Sequence, residues 1–152
     1  MFHEKQIVFL EEPFSTKQEV IHHLTHLPND CVLNADRYEQ AVLEREDSFP
    51  TYTIDGVAIP HAKSDAIGEA FVAFARLKQP VRWGAAEGED ARVVFLIGVP
   101  QSSSAQDNNL HLKILATLSK KLIHDTFRQS LSNAQSVKKV YQLLQELEGD
   151  FK

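Results

Sequence analysis

Apolar residues along the chain cluster in two spacings, short continuous runs and runs that repeat every three or four positions. The continuous runs predict four strands, at 7–10, 57–59, 70–75 and 92–97. The last of these runs, Arg92 to Ile97, is apolar at nearly every position, which is typical of a strand buried on both faces. We therefore expect it at the centre of a sheet.

Helical spacing predicts five helices around these strands. The first is expected from a cap at Ser15 to Pro28, and the second opens at Asn34 or Asp36 and ends at Pro50. Three more are expected at 110–122, 125–131 and 137–147, after a polar loop at 100–107. Helices at both ends of the chain thus enclose the strands.

Composition limits the class of protein. The length of 152 residues fits one domain, and 43% apolar with 24% charged residues excludes a disordered or fibrous chain. The net charge of -5 excludes a global basic field for holding nucleic acid. A single domain over residues 1–152 with no nucleic-acid partner is expected.

The cellular compartment of the protein is predicted from its number of cysteines and its hydropathy. Cys31 is the single cysteine, so it can form no intrachain disulfide, and one thiolate is too few for a cysteine-based zinc site. The first residues lack the basic and apolar regions of a signal peptide, and no apolar run has the ~18 residues of a membrane span. We expect a cytoplasmic protein that does not insert into the membrane.

His61 is the first candidate for chemistry. It follows the short apolar strand at 57–59, directly behind Pro60, whose ring fixes its own φ angle and gives the imidazole a rigid base. A neutral imidazole is a nucleophile near pH 7, and the hydrogen bond of one ring nitrogen selects which nitrogen reacts. The alternative is an ordinary hydrogen-bonded histidine at a strand end.

Two further residues suit an anion. His111 falls in the first turn of a predicted helix, where free backbone N–H groups favour phosphate, although a solvated residue is common there. Arg45 shares a helical face with Tyr38 and should lie toward the core, where its charge needs a partner. That partner is either a carboxylate such as Glu39 or Asp55, or a bound phosphoryl group.

Other motifs are weaker. His22 and His26 lie four residues apart, as in some metal sites, but His23 stands where a metalloprotease would have its glutamate. An exposed polar face is the favoured interpretation, so no metal is expected. The chain lacks the glycine spacing and Lys-Ser/Thr end of a phosphate loop and has no Gly-x-Ser-x-Gly elbow. A nucleotide-dependent kinase and a serine hydrolase are disfavoured, and no cofactor is expected.

Several segments in order resemble one family. Residues 56–62 (Gly-Val-Ala-Ile-Pro-His-Ala) resemble the active-site signature of the mannitol/fructose-type enzyme IIA of the sugar phosphotransferase system, and residues 43–46 (Leu-Glu-Arg-Glu) resemble its Arg-Glu pair. Residues 81–84 and 93–97 resemble its basic-aromatic-glycine turn and core strand, and residues 109–112 its second-histidine helix. The resemblance covers most of residues 15 to 147.

The resemblance implies an α/β fold in which a mixed sheet is sandwiched between helices on both faces of a single domain. It implies a phosphocarrier in which His61 accepts a phosphoryl group from the phosphorylated histidine protein HPr and passes it to an enzyme IIB protein for sugar uptake. His111 and Arg45 would supply donors, and the carrier would associate with a membrane permease. The alternative is a regulatory IIA module, of nitrogen or antiterminator type, that binds partners according to its phosphorylation state.

Overall fold

The computed structural model describes residues 1–101 and 109–151, and over that part it contains one five-stranded sheet. The strands are β1 (Phe2–Leu10), β2 (Val57–Ala58), β3 (His61–Ser64), β4 (Phe71–Arg82) and β5 (Asp90–Pro100). β5 pairs with β4 in antiparallel fashion on one side, and with β2 and then β3 in parallel on the other. β1 completes the sheet as a parallel neighbour of β4. The sheet is therefore mixed, and the central position predicted for the strand at 92–97 is confirmed.

Five α-helices and a final 3₁₀ turn, Gly149–Phe151, accompany the sheet in the described residues. The helices are α1 (Lys17–Thr25), α2 (Ala35–Ser48), α3 (Leu110–Leu122), α4 (Asp125–Asn133) and α5 (Val137–Glu148). The cap of α1 is Thr16, whose hydroxyl accepts from the backbone N–H of Glu19, so the predicted cap at Ser15 is wrong by one residue. Asn34, the first of the two residues expected to start the second helix, caps α2 through its side chain.

The two faces of the sheet bury separate apolar cores. Phe95 and Ile97 of β5 contribute to the core that α3, α4 and α5 cover, whereas Val94 and Leu96 contribute to the core beneath α1 and α2. Successive side chains of a strand point to opposite faces, so a strand covered on both sides must be apolar throughout. The predicted sandwich of one sheet between two helical layers is confirmed.

The segment after Pro60 differs from the expectation. The sequence predicted a connection between two strands at residues 60–65, but His61–Ser64 is itself a strand, paired in parallel with β5. Its mixed composition, His-Ala-Lys-Ser, hides it from a search for apolar runs. Most of the polar loop expected at 100–107 lies outside the described residues, and Pro100 ends β5. None of the helices in the described part is long and apolar enough to cross a membrane.

Candidate active site

His61 is the first residue of β3 and stands opposite Ile97 on the central strand. Its imidazole is half-buried, and Nδ1 lies 2.8 Å from the backbone oxygen of Ile59. The backbone is fixed on the other side as well, because the carbonyl of Pro60 accepts a hydrogen bond from the N–H of Ile97. The ring is therefore held by the Ile59 carbonyl, and the backbone beside it is held by the central strand.

The contact at Nδ1 determines the tautomer of the neutral ring. A carbonyl oxygen can only accept a hydrogen bond, so Nδ1 of His61 must carry the proton that it donates to Ile59. The lone pair of the neutral imidazole then lies on Nε2. Nε2 is consequently the nitrogen equipped to act as a nucleophile.

A buried hydrogen-bond network supports this carbonyl from below. The N–H of Ile59 donates to the carbonyl of Thr51 at 2.9 Å. The side chain of Glu46, 2% exposed, accepts from the backbone N–H of Thr51 at 2.7 Å and from its hydroxyl at 2.5 Å. Lys17 Nζ donates to the same carboxylate at 3.2 Å, and the Trp83 indole N–H donates to the Thr51 hydroxyl at 3.1 Å. One carboxylate thus fixes the segment that leads to His61.

Sequence reasoning missed Glu46, although a signal was present. Tyr38, Val42 and Glu46 follow one another at intervals of four and are the buried residues of α2. Residues at this spacing share one helical face, so a glutamate in the series predicts a buried charge that needs partners. The predicted face used Arg45 in the corresponding place, and the structure puts Arg45 at its margin, half-buried.

α2 is joined by a hydrogen bond and an ion pair to the strands that carry the site. The buried hydroxyl of Tyr38 donates to the carbonyl of Ile97 at 2.7 Å, at the residue paired with His61, and burial raises the pKa of this phenol well above its usual range. Near the start of α2, Arg37 forms an ion pair with Asp65, which follows the end of β3. The far end of α2, which bears Arg45, lies toward the segment that leads into β3, because Glu46 accepts from Thr51 and the carbonyl of Thr51 accepts from Ile59.

The partner expected for Arg45 is not a carboxylate. Arg45 Nη1 donates to the carbonyl of Phe49 at 2.8 Å, and within the described residues the guanidinium makes no ion pair. Glu39 instead contacts His22, and Asp55 pairs with Arg128. Among the described residues the carboxylate alternative is therefore wrong, because Glu39 and Asp55 have other partners. A guanidinium has five N–H donors in a fixed fork, so further donors of Arg45 suit an anion.

His111 lies in the first turn of α3, as predicted, while its side chain lies outside the described residues. The preceding residue, Leu110, lines a cavity together with Val99 and Pro100 at the end of β5. Val99 pairs with Lys63, two residues beyond His61. The backbone of His111 therefore stands at the same end of β5 as the end of β3.

Two apolar side chains are exposed near these residues. Phe49, next to Arg45, is 71% exposed, and Leu112, next to His111, is 57% exposed. A large apolar side chain so open to water is a candidate for contact with a partner. Lys63 is half-buried on β3 and less prominent than Phe49.

The family is shown by comparison with known proteins. The family model for the phosphoenolpyruvate-dependent sugar phosphotransferase system, EIIA 2, matches residues 1–147. The chain belongs to this family. It is accordingly a phosphotransfer component of a sugar phosphotransferase system, and the predicted family is confirmed. The fructose-specific EIIA component of Haloferax volcanii is 37% identical over 144 residues, which cover 93% of this chain and 91% of the relative.

Solved EIIA structures have the same fold as this EIIA 2 chain. The nitrogen regulatory protein IIA-Ntr of Neisseria meningitidis superposes with a TM-score of 0.83 at 26% identity, covering 94% of this chain and 95% of that one. The mannitol enzyme IIA of Escherichia coli, in a complex with phosphorylated mannitol enzyme IIB, superposes with a TM-score of 0.78 at 27% identity. That comparison covers 96% of this chain and 99% of the solved chain.

Proposed function

We propose that His61 is the phosphoryl acceptor of this EIIA protein and that it reacts through Nε2. The observation that carries the proposal is the hydrogen bond from Nδ1 to the Ile59 carbonyl, which leaves the lone pair on Nε2. The phosphoryl donor is phosphorylated HPr, and the acceptor is an enzyme IIB. These partners follow from membership of the family and from the solved IIA–IIB complex of the Escherichia coli mannitol proteins.

The proposed transfer exchanges one phosphorus–nitrogen bond for another. Nε2 of His61 attacks the phosphorus of phosphohistidine on HPr in line with the bond that breaks, and the electron pair of that bond returns to the imidazole of HPr. The product carries the phosphoryl group on Nε2, while the Nδ1 proton remains hydrogen-bonded to Ile59. In the discharge step a nucleophile of enzyme IIB attacks the phosphorus, the phosphorus–Nε2 bond breaks, and its electron pair returns to the imidazole of His61. Positioning and charge stabilisation dominate such a reaction, and the rigid imidazole supplies the positioning.

Arg45 and His111 are the proposed donors to the phosphoryl oxygens. The guanidinium of Arg45 is held at the end of α2 by one hydrogen bond, to Phe49. His111 lies in the first turn of α3, where backbone N–H groups and the helix dipole favour an anion. Both groups would stabilise the charge on the transferring group more than on the free phosphohistidine, which is how binding accelerates a reaction.

Phe49 is the proposed centre of the docking surface for the two protein partners. It is exposed, lies beside Arg45 and has the aromatic character that is enriched in interfaces. HPr and enzyme IIB must leave after each transfer, so a small surface with electrostatic steering suits them. Lys63 is the proposed basic residue at its edge.

Carbohydrate uptake is favoured over the regulatory alternative. The matching family model describes a sugar phosphotransferase component, and the relative at 37% identity is fructose-specific, whereas the likeness to the nitrogen regulatory protein is at 26% identity. We propose a fructose-type IIB as partner, and work in the cytoplasm beside a membrane permease. A single EIIA domain over the full 1–152 remains a prediction, since the family model matches 1–147.

Transfer to enzyme IIB tests the proposed direction and specificity. The protein would be phosphorylated with HPr, freed from the donor, and mixed with the soluble IIB domain of a fructose permease or of a mannitol permease. We expect faster discharge to the fructose IIB, and ³¹P NMR of the intermediate should show phosphate on Nε2. Phosphate on Nδ1, or discharge to neither IIB, would contradict the proposal.

A further inference from the structure

Three side chains of types that can bind metals meet where α1 packs on α2. His22 and His26 lie four residues apart on α1, and their rings are 4.4 Å apart between centroids. Glu39 of α2 lies against both rings: its Oε1 is 2.9 Å from Nδ1 of His22 and 3.7 Å from Nδ1 of His26. One donor atom from each of the three residues falls within 4.8 Å of the other two. Two helices thus present one cluster of donors.

The spacing of these atoms matches the size of a tetrahedral site. Zinc–nitrogen and zinc–oxygen bonds of 2.0–2.2 Å place neighbouring ligands about 3.3 Å apart. The separations of 2.9 and 3.7 Å between Glu39 Oε1 and the two Nδ1 atoms lie on either side of that value, so these two pairs are close to the spacing of a tetrahedral site. Imidazole nitrogen with carboxylate oxygen is a donor set that zinc, copper and nickel accept.

A second carboxylate orients one of the two histidines. Nε2 of His26 lies 2.8 Å from Oδ1 of Asp36, so the proton on this nitrogen is donated to a carboxylate. Histidines that bind metals through one nitrogen commonly donate the other N–H to such a partner. Nδ1 of His26 lies 2.9 Å from the carbonyl of His22 and 3.7 Å from Oε1 of Glu39, so a bound ion would replace its hydrogen bond to that carbonyl.

The cluster is also accessible. The side chain of His22 is 62% exposed and that of His26 is 31% exposed, whereas Glu39 beneath them is 18% exposed. An ion can therefore enter from solvent, and water can complete its coordination. The spacing of His22 and His26 alone favoured an exposed polar face, because Glu39 reaches them only through the packing of α2 on α1.

We propose that His22, His26 and Glu39 bind a divalent transition cation of the zinc class, with Asp36 as the outer carboxylate. Binding uses the lone pair of each Nδ1, so in the metal-bound cluster each ring carries its proton on Nε2, and that of His26 is donated to Asp36. The site links α1 to α2, the helix that bears Arg45, and it requires no phosphoryl transfer. Its test is therefore independent of the function proposed for His61.

Calorimetric titration of the purified, chelator-treated chain with Zn²⁺ tests the site. We expect one ion per chain in the wild type, and an affinity at least about tenfold weaker after His22→Ala, His26→Ala or Glu39→Gln. Asp36→Asn should weaken binding about tenfold. The matched control is His23→Ala: this histidine is on the same helix, but its ring packs on Phe14 with centroids 5.4 Å apart.

Two results would overturn the proposal. One is equal zinc binding by the wild type and the His22→Ala/His26→Ala double variant, and the other is an equal loss in the His23→Ala control. Imidazole NMR of the wild type adds a test that no variant's folding can affect. Zinc should shift the resonances of His22 and His26 and leave those of His23 in place, and a shift confined to other histidines would refute the assignment.

Discussion

Replacement of Glu46 by leucine tests the buried network beneath the site. The carboxylate accepts two hydrogen bonds from Thr51 and one from Lys17, and its removal leaves two buried donors and an ammonium group without this acceptor. Loss of one partner of a buried ion pair costs about 3–5 kcal/mol. Lys17 keeps a hydrogen bond to the carbonyl of Trp83 and is 17% exposed, so we expect the low end, about 3 kcal/mol.

Urea unfolding followed by tryptophan fluorescence measures this loss. Trp83 is the single tryptophan, is 1% exposed and donates to Thr51, so it reports on the network itself. The control is Glu44→Leu, the same change at an exposed position of α2, which should alter the free energy of unfolding by less than about 0.5 kcal/mol. A loss below about 1 kcal/mol for Glu46→Leu would refute the reasoning.

The same variant tests the link to His61. Glu46 holds Thr51, whose carbonyl accepts from Ile59, and the carbonyl of Ile59 orients the imidazole. If that orienting bond is worth about 1 kcal/mol, its weakening slows phosphoryl acceptance roughly fivefold. Rates would be compared at a temperature where both proteins are fully folded. An unchanged rate in the destabilised variant would show that the network under Thr51 does not affect phosphoryl acceptance by His61.

Three other substitutions have expected outcomes. Tyr38→Phe leaves the Ile97 carbonyl without its donor and should lower the free energy of unfolding by about 1 kcal/mol in urea denaturation, and no loss would contradict the hydrogen bond. Arg128→Met removes the donor to the Leu122 carbonyl at the end of α3 and should cost about 2–3 kcal/mol in the same assay, with Arg128→Lys recovering part of it. Arg45→Leu should change the free energy of unfolding by less than about 1 kcal/mol, since the side chain makes a hydrogen bond to the Phe49 carbonyl. It should slow phosphoryl acceptance at least about tenfold in quenched time-course assays, and a rate equal to wild type would exclude Arg45 from the site.

The fold could be predicted from the sequence where local pattern and burial agree. The apolar run at Arg92–Ile97 has to be central, since both of its faces are covered, and the helix at Leu110–Leu122 follows from its four-residue repeat. β3 could not be found in this way, because four residues of mixed polarity become a strand only through pairing with β5. Long-range pairing of this kind leaves no periodic signal.

The candidate site, like the fold, could be predicted only in part from the sequence. The position of His61 behind Pro60 indicated a fixed imidazole, and its hydrogen bond to Ile59 is the kind of contact that such a segment permits. The spacing of Glu46 on α2 signals a buried charge, but its partners, Lys17, which is 29 residues away, and Thr51, follow only from the tertiary structure. The ion-pair partners expected for Arg45 were wrong for a similar reason, since side chains from other elements, His22 and Arg128, contact those carboxylates.

Transfer from phosphoenolpyruvate through enzyme I and HPr, read by intact mass, tests the central claim most directly. Wild type, His61→Ala and the His23→Ala control would be compared in parallel with the same active donor. The account predicts a gain of one phosphoryl group in the wild type and in His23→Ala, and no gain in His61→Ala. Phosphorylation of His61→Ala to the level of the wild type would contradict it, because the acceptor would then be another residue.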